Sequence, residues 1–154
     1  MSRLAGTRVL LTGAAGALGR AFAARLAAEG AGLVLLDVDP AVEGLAAEHG
    51  ARAIVADLAA DDVRPVIDAA AEALGGLDAV INNAAVFGGL RPRPLAELTA
   101  AEIDRVLTVN VRAVLLVCQA AAPHLAVSGR GGIVKRRLRL HPHRRCRLSA
   151  LRGG

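Results

Sequence analysis

The sequence predicts an α/β fold, a doubly wound parallel sheet with helices on both faces. Three observations lead there. Four short apolar runs alternate with helix-length segments over the first 85 residues, the alternation that builds βαβ units. A glycine-rich turn, Thr12-Gly13-Ala14-Ala15-Gly16-Ala17-Leu18-Gly19, joins the first run to the first helix. Thr12, Asp37, Asp57 and Asn82 fall at the carboxyl ends of the four runs, where ligands of such sheets bind.

Arg8 to Leu11 reads as the first strand, short and fully buried. In the turn after it, glycines let the backbone take positive φ and approach a pyrophosphate closely. The helix that follows offers free N–H donors and a partial positive charge at its start. The spacing of Gly13, Gly16 and Gly19 differs from the common Gly-x-Gly-x-x-Gly fingerprint, so the turn alone also fits a tight connection without a ligand. The helix runs from Ala17 to Glu29, with Leu18, Phe22 and Leu26 expected on the sheet and Gly30 as its stop. Leu33 to Leu36 is the second strand and ends at Asp37, 18 residues beyond Gly19. That distance suits a carboxylate that grips a ribose 2′-hydroxyl; a solvated strand-end acid is the plain alternative.

Pro40 and residues 41–50 form a short helix ended by Gly50, and Arg52 to Val55 is a third strand running into Asp57-Leu58. Asp61 to Leu74 is the next helix, with Val63, Val66/Ile67, Ala70 and Leu74 inward. Ala79 to Ile81 is strand four and leads into Asn82-Asn83-Ala84-Ala85. Val86 to Leu98 lacks regular periodicity and is a candidate lid. Thr99-Ala100-Ala101-Glu102 is a capping box. It starts the longest helix, which is read to about Ala122 with Ile103, Val106/Leu107, Asn110, Val114 and Cys118 on its apolar side. An amide on that side needs a partner, so Asn110 reads either as a functional group or as a core side chain bonded to nearby backbone. Cys118 reads as a small hydrophobe. Gly131 to Val134 begins strand five.

The chain of 154 residues makes one domain, large enough to bury about 70% of its unfolded surface. Aromatic residues are almost absent, so Ala, Val, Leu and Ile must fill the core. No apolar run of membrane-spanning length and no leader pattern are apparent. Two cysteines, Cys118 and Cys146, do not form a disulfide framework. A cytoplasmic location is expected. The net charge of +5 is unevenly placed: residues 1–134 hold 11 Arg against 14 acids, whereas residues 135–154 hold Lys135, seven Arg and no acid. The chain thus divides into a dinucleotide-binding domain, residues 1–134, and a basic irregular tail, residues 135–154.

These residues together resemble the short-chain dehydrogenase/reductase family. The match comprises Thr12-Gly13, Gly16 and Gly19 of the turn, Asp37, Asp57-Leu58, Asn82-Asn83-Ala84 and Asn110, in order. It covers about residues 5–134, roughly half the usual family domain. The resemblance implies an incomplete Rossmann-type sheet of about five strands in the order 3-2-1-4-5. It implies a cofactor site in which Thr12, Gly13, Gly16, Leu18 and Gly19 form the phosphate turn. Asp37 would take the adenosine ribose, Asp57 and Leu58 the adenine, and Asn82 and Ala84 the nicotinamide side. Ala85 stands where the family usually has Gly. With Asp37 and no basic residue beside it, the implied cofactor is NAD rather than NADP, because a carboxylate repels a 2′-phosphate. The implied substrate is a small-molecule alcohol/carbonyl pair. The family's homo-oligomer is not expected of a chain lacking half the domain.

The family's chemistry uses Ser, Tyr and Lys, the last two as Tyr-x-x-x-Lys, with Tyr as general acid/base. This sequence has no tyrosine and one lysine, Lys135. Asn110 is the catalytic-tetrad position that matches, and the chain as written is expected to be inactive. A truncation or reading-frame shift accounts for the change after Val134. Read one base later with GC-rich codons, Lys135/Arg136 can give Ser, and Leu138 through Ser149 can end in Tyr at the family's spacing of 13. That frame does not give Lys four residues after the Tyr.

Other readings of the tail are weaker. Eight cations in 20 residues could contact phosphates, but no aromatic stacks bases and no nucleic-acid motif is present. His141, His143 and Cys146 lack a fourth ligand at a usual spacing, so no metal site is expected. A non-catalytic dinucleotide-binding or regulatory module stays open beside the oxidoreductase.

Overall fold

The structure, a computed structural model, describes residues 2–86 and 95–135. Residues 87–94 of the candidate lid and residues 136–154 of the tail lie outside the described residues. Five strands, β1 (Arg8–Thr12), β2 (Gly32–Asp37), β3 (Arg52–Val55), β4 (Ala79–Asn82) and β5 (Gly132–Lys135), form one sheet in the order β3-β2-β1-β4-β5. Every pairing is parallel. The fold and the strand order agree with the sequence reading.

Alternate residues of a strand point to opposite faces, and here both faces are apolar. Val9, Leu11, Leu33 and Leu35 meet α1 (Ala17–Ala28) and α2 (Ala41–His49). Leu10, Val34, Leu36 and Val80 meet α3 (Arg64–Leu74) and α5 (Ala113–Ser128) on the other side. Much of the helical contribution is alanine: Ala23, Ala46, Ala70, Ala113, Ala120 and Ala121 are all buried. With so few aromatics, small side chains let helices settle on the sheet without voids.

Three details differ from the sequence reading. Leu18 is 44% exposed rather than inward, because the sheet-facing stripe of α1 is built around Gly19 and Ala23. The long helix is three pieces, α4 (Ala100–Leu107), a π-helical turn (Thr108–Arg112) and α5, and it continues past Pro123 to Ser128. Pro123 and Gln119 are both exposed, and the proline removes the hydrogen bond that its N–H would have made to the Gln119 carbonyl. The wide turn also shifts the helical phase. Ile103 and Leu107 are exposed, and the buried face belongs to Ala113, Val117, Ala120, Ala121 and Leu125. By length and composition alone, Ala100–Ser128 meets the criterion for crossing a membrane, against the sequence expectation. Only part of it packs on the sheet, through Ala113, Val117, Ala120, Ala121 and Leu125, while Ile103, Leu107, Val111, Leu115 and Val127 are exposed. The capping box forms as read: Glu102 N–H donates to Thr99 Oγ1 (3.3 Å), and Thr99 N–H donates to Glu102 Oε2 (2.9 Å).

At the amino ends of the strands, one buried acid ties four elements. Asp78 is 3% exposed. Its carboxylate accepts from Arg8 N–H (2.8 Å), Arg8 Nε (3.0 Å) and Nη2 (2.9 Å), Ser128 Oγ (2.7 Å), and more weakly from Arg130. These donors, Arg8 foremost and then Ser128, hold the carboxyl far below the usual carboxylate range.

Candidate functional site

The carboxyl end of β1 lies between β2 and β4, where the chain reverses its direction of winding, the crevice in which open α/β sheets bind ligands. Thr12 ends β1 and is buried. Its hydroxyl accepts N–H bonds from Asn83 (3.1 Å) and Ala84 (3.1 Å) and donates to the Ile81 carbonyl (3.4 Å). Asn83 Nδ2 returns two bonds, to the Thr12 (3.2 Å) and Gly13 (2.9 Å) carbonyls. One threonine and one asparagine therefore lock the glycine turn to the segment leaving β4.

The turn's three glycines are not equivalent. Gly13 has φ +66, and a Cβ there would sit 2.6 Å from Ala84 Cα. A Cβ on Gly19 would strike the Gly13 carbonyl oxygen and lie 2.6 Å from that of Ala14. Gly16 would meet only the Gly13 carbonyl, at an ordinary 3.5 Å. Gly13 and Gly19 are thus required by the turn itself, and Gly16 is not.

Asp37 ends β2, half-buried, and faces the turn. Its Oδ2 accepts Ala15 N–H (2.8 Å) and its Oδ1 accepts Asp39 N–H (3.0 Å), which leaves lone pairs on both oxygens for a ligand. Beyond β3, Asp57 Oδ1 accepts Ala59 N–H (2.8 Å), and Leu58 is buried beneath it. Asn110 lies in the π-helical turn: Oδ1 accepts Val86 N–H (2.8 Å) and Nδ2 donates to the Val86 carbonyl (3.3 Å). The backbone-bonded reading of Asn110 describes what is seen.

These elements enclose a cleft of about 940 Å³, within the size range of small-molecule and cofactor sites. Gly13, Gly16, Leu18 and Gly19 line it on one side, and Asp37, Asp57, Leu58 and Ala84 line the rest. Thr12, Asn82 and Asn110 stand behind this wall. Asn82 points the other way, its Nδ2 3.5 Å from Cys118 Sγ on α5. Asn83, not Asn82, is on the cleft. Strand parity carried that signal, since Val80 and Asn82 share the α5 side. Arg105 and Val109 also reach the cleft, from a helix whose phase the π-helical turn had concealed.

The arrangement suits an elongated anionic ligand. No side chain caps α1 and no acid stands in its first turn, so its positive end is free for a phosphate. Among the described residues, Asn83 Oδ1 is buried and has no hydrogen-bond partner. A glycine cradle, a bare helix terminus and a strand-end carboxylate are the donor and acceptor set that a dinucleotide requires. Among the described residues, the cleft's titratable side chains are Asp37, Asp39, Asp57 and Arg105.

A profile of the family described as short chain dehydrogenase matches residues 7–135. Sorbitol dehydrogenase of Cereibacter sphaeroides is 37% identical over 134 residues, which are 84% of this chain and 51% of the relative. A short chain dehydrogenase from Burkholderia cenocepacia J2315, solved in complex with NADP, superposes with a TM-score of 0.71 at 44% identity, covering 80% of this chain and 52% of that one. 3-Ketoacyl-(acyl-carrier-protein) reductase from Brucella melitensis, complexed with NADH, gives a TM-score of 0.75 at 34% identity, covering 85% and 57%. The chain spans about half the length of the curated relatives it matches.

Proposed function

The chain belongs to the short-chain dehydrogenase family, and from that premise we propose that its cleft holds the nicotinamide dinucleotide of an oxidoreductase acting on an alcohol/carbonyl pair. The observation that carries this reading is the bond from Ala15 N–H to Asp37. It fixes the phosphate turn and the strand-end carboxylate as one preorganised unit. The start of α1, with Gly16 and its neighbours, would hold the pyrophosphate. Asp37 would accept from the adenosine ribose, Asp57 and Leu58 would flank the adenine, and Ala84 and Asn83 would border the nicotinamide half. When bound, the dinucleotide supplies the hydride donor or acceptor. Asn110 holds the Val86 backbone at the edge of that half.

NAD is the cofactor this acid favours. Asp37 already accepts two N–H bonds, and a 2′-phosphate against it would pair like charges. NADH should bind at least about tenfold tighter than NADPH, and Asp37→Ala should narrow the gap. Fluorescence titration of both cofactors tests this, and equal binding by the parent would remove the role given to Asp37.

These 154 residues hold no tyrosine, and their one lysine, Lys135, is in β5. By themselves they should turn over no alcohol with NAD, whatever their affinity for it. We also propose that residues 135–154 follow a shifted reading frame, because the family match stops at residue 135, where a run of Lys135 and seven Arg in 20 residues begins. Resequencing the codons for Gly131 to Gly154 tests the frame: it should restore Ser and Tyr, and a gene product that also carries Lys four residues after that Tyr, through a further base difference, should reduce or oxidise its substrate. Robust NAD-dependent turnover by the unmodified chain would overturn this account of the missing proton donor.

A further inference from the structure

The π-helical turn Thr108–Arg112 touches two of the loops that form the cleft, those after β3 and β4. Asn110 holds the loop after β4 at Val86, as described. Two residues on, Arg112 reaches the loop after β3. Its Nη1 donates to the Ala59 (3.5 Å) and Ala60 (3.3 Å) carbonyls, and its Nη2 donates to the Asp61 carbonyl (3.4 Å) and to Asp61 Oδ1 (3.0 Å). Three successive carbonyls thus converge on one planar guanidinium, a fork suited to several acceptors at once. Within the same loop Asp57 accepts Ala59 N–H, so the loop is held by its amides on one side and its carbonyls on the other. Asp57, Leu58 and Ala59 are cleft wall.

The ion pair does not explain the contact. Asp61 is fully exposed and Arg112 is 42% exposed, and such pairs contribute little. Nor does the core require it, since the buried face of α5 starts after it, at Ala113. A π-helical turn is a costly irregularity often found at functional sites, and this one sends consecutive polar side chains to opposite walls of one cleft.

We propose that Arg112 is a positioning residue for the adenine side of the cleft, setting where Asp57, Leu58 and Ala59 stand. This rests on reading the cleft as a dinucleotide site. Its effect should be confined to the adenosine half of the ligand, because the nicotinamide half is bordered by the Asn110-held loop.

The test titrates adenosine 5′-monophosphate and nicotinamide mononucleotide separately into the 154-residue chain, followed by NMR, with Arg112→Ala, Arg112→Lys and Asp61→Asn beside the parent. Arg112→Ala should weaken adenosine 5′-monophosphate about tenfold, as loss of charge-assisted bonds would, and leave nicotinamide mononucleotide unchanged. Arg112→Lys should recover part of the loss, and Asp61→Asn should change neither fragment. Equal weakening of both fragments, or of neither, overturns the assignment. A parent that binds neither fragment overturns the dinucleotide reading itself and this inference with it, an outcome visible before any variant is made. Should Arg112→Ala fail to fold, Arg112→Lys decides: a severalfold loss for the adenosine fragment alone supports the role, and unchanged affinity refutes it.

Discussion

Asp78→Ala should lower the unfolding free energy by about 3 kcal/mol, since hydrogen bonds to a buried carboxylate are worth more than neutral ones. The loss falls on several elements at once. Arg8 opens β1, Ser128 ends α5, Arg130 precedes β5, and Asp78 itself leads into β4. Asp78→Asn should cost less, because it keeps the shape and one acceptor oxygen. The same carboxylate predicts a pH dependence. Its folded value lies far below the ordinary aspartate value of about 3.9. A depressed carboxylate stabilises the fold above the unfolded value, and that contribution drains away as pH falls below about 4. Thermal melts between pH 2 and 7 should therefore show a steeper acid loss for the parent than for Asp78→Asn. Parallel curves would remove Asp78 from its place at the base of the sheet.

Gly19→Ala should be the more damaging of two substitutions in one turn. Its methyl group would enter the space of the Gly13 and Ala14 carbonyls, both backbone and unable to swing aside. A cost of about 2–4 kcal/mol is expected, at or above the usual range for overpacking. Gly16→Ser should stay within about 0.5 kcal/mol, since that position is extended at φ −67, has room for a Cβ, and begins a helix where serine is a favoured cap. Chemical denaturation of both variants decides the matter. Equal losses would mean that the turn tolerates or rejects side chains for some reason other than the contacts described.

The sheet was legible because a parallel strand buried on both faces must be apolar throughout, and Leu33 to Leu36 can be little else. The polar strand ends were legible for the complementary reason that each interrupts such a run. What the sequence concealed lay where one residue has two geometrically equivalent readings. Leu18 fits an apolar helical stripe by spacing, yet Gly19 takes the sheet because only hydrogen fits against the turn. Asn82 and Asn83 are chemically identical, and only the face of β4 separates the one beside Cys118 from the one on the cleft. The π-helical turn leaves no compositional mark, so the sequence does not reveal the helical phase around it or the reach of Arg112. Asp78 is a single acid before an apolar run. Its partner becomes evident only once β1 and β4 are known to be neighbours, with Val9 opposite Ala79 and hence Arg8 opposite Asp78.

That register has a consequence for how the protein can change. From Arg8 to Thr12 the first strand climbs about 13 Å, so anchoring groups and ligand-facing groups occupy opposite ends of the same short rods. Substitutions separated by that distance, without shared partners, combine nearly additively. Sequence drift at one end is therefore thermodynamically invisible at the other. A lineage, or an engineer, can harden the amino end around Asp78 and spend the surplus on remodelling the cleft at the carboxyl end.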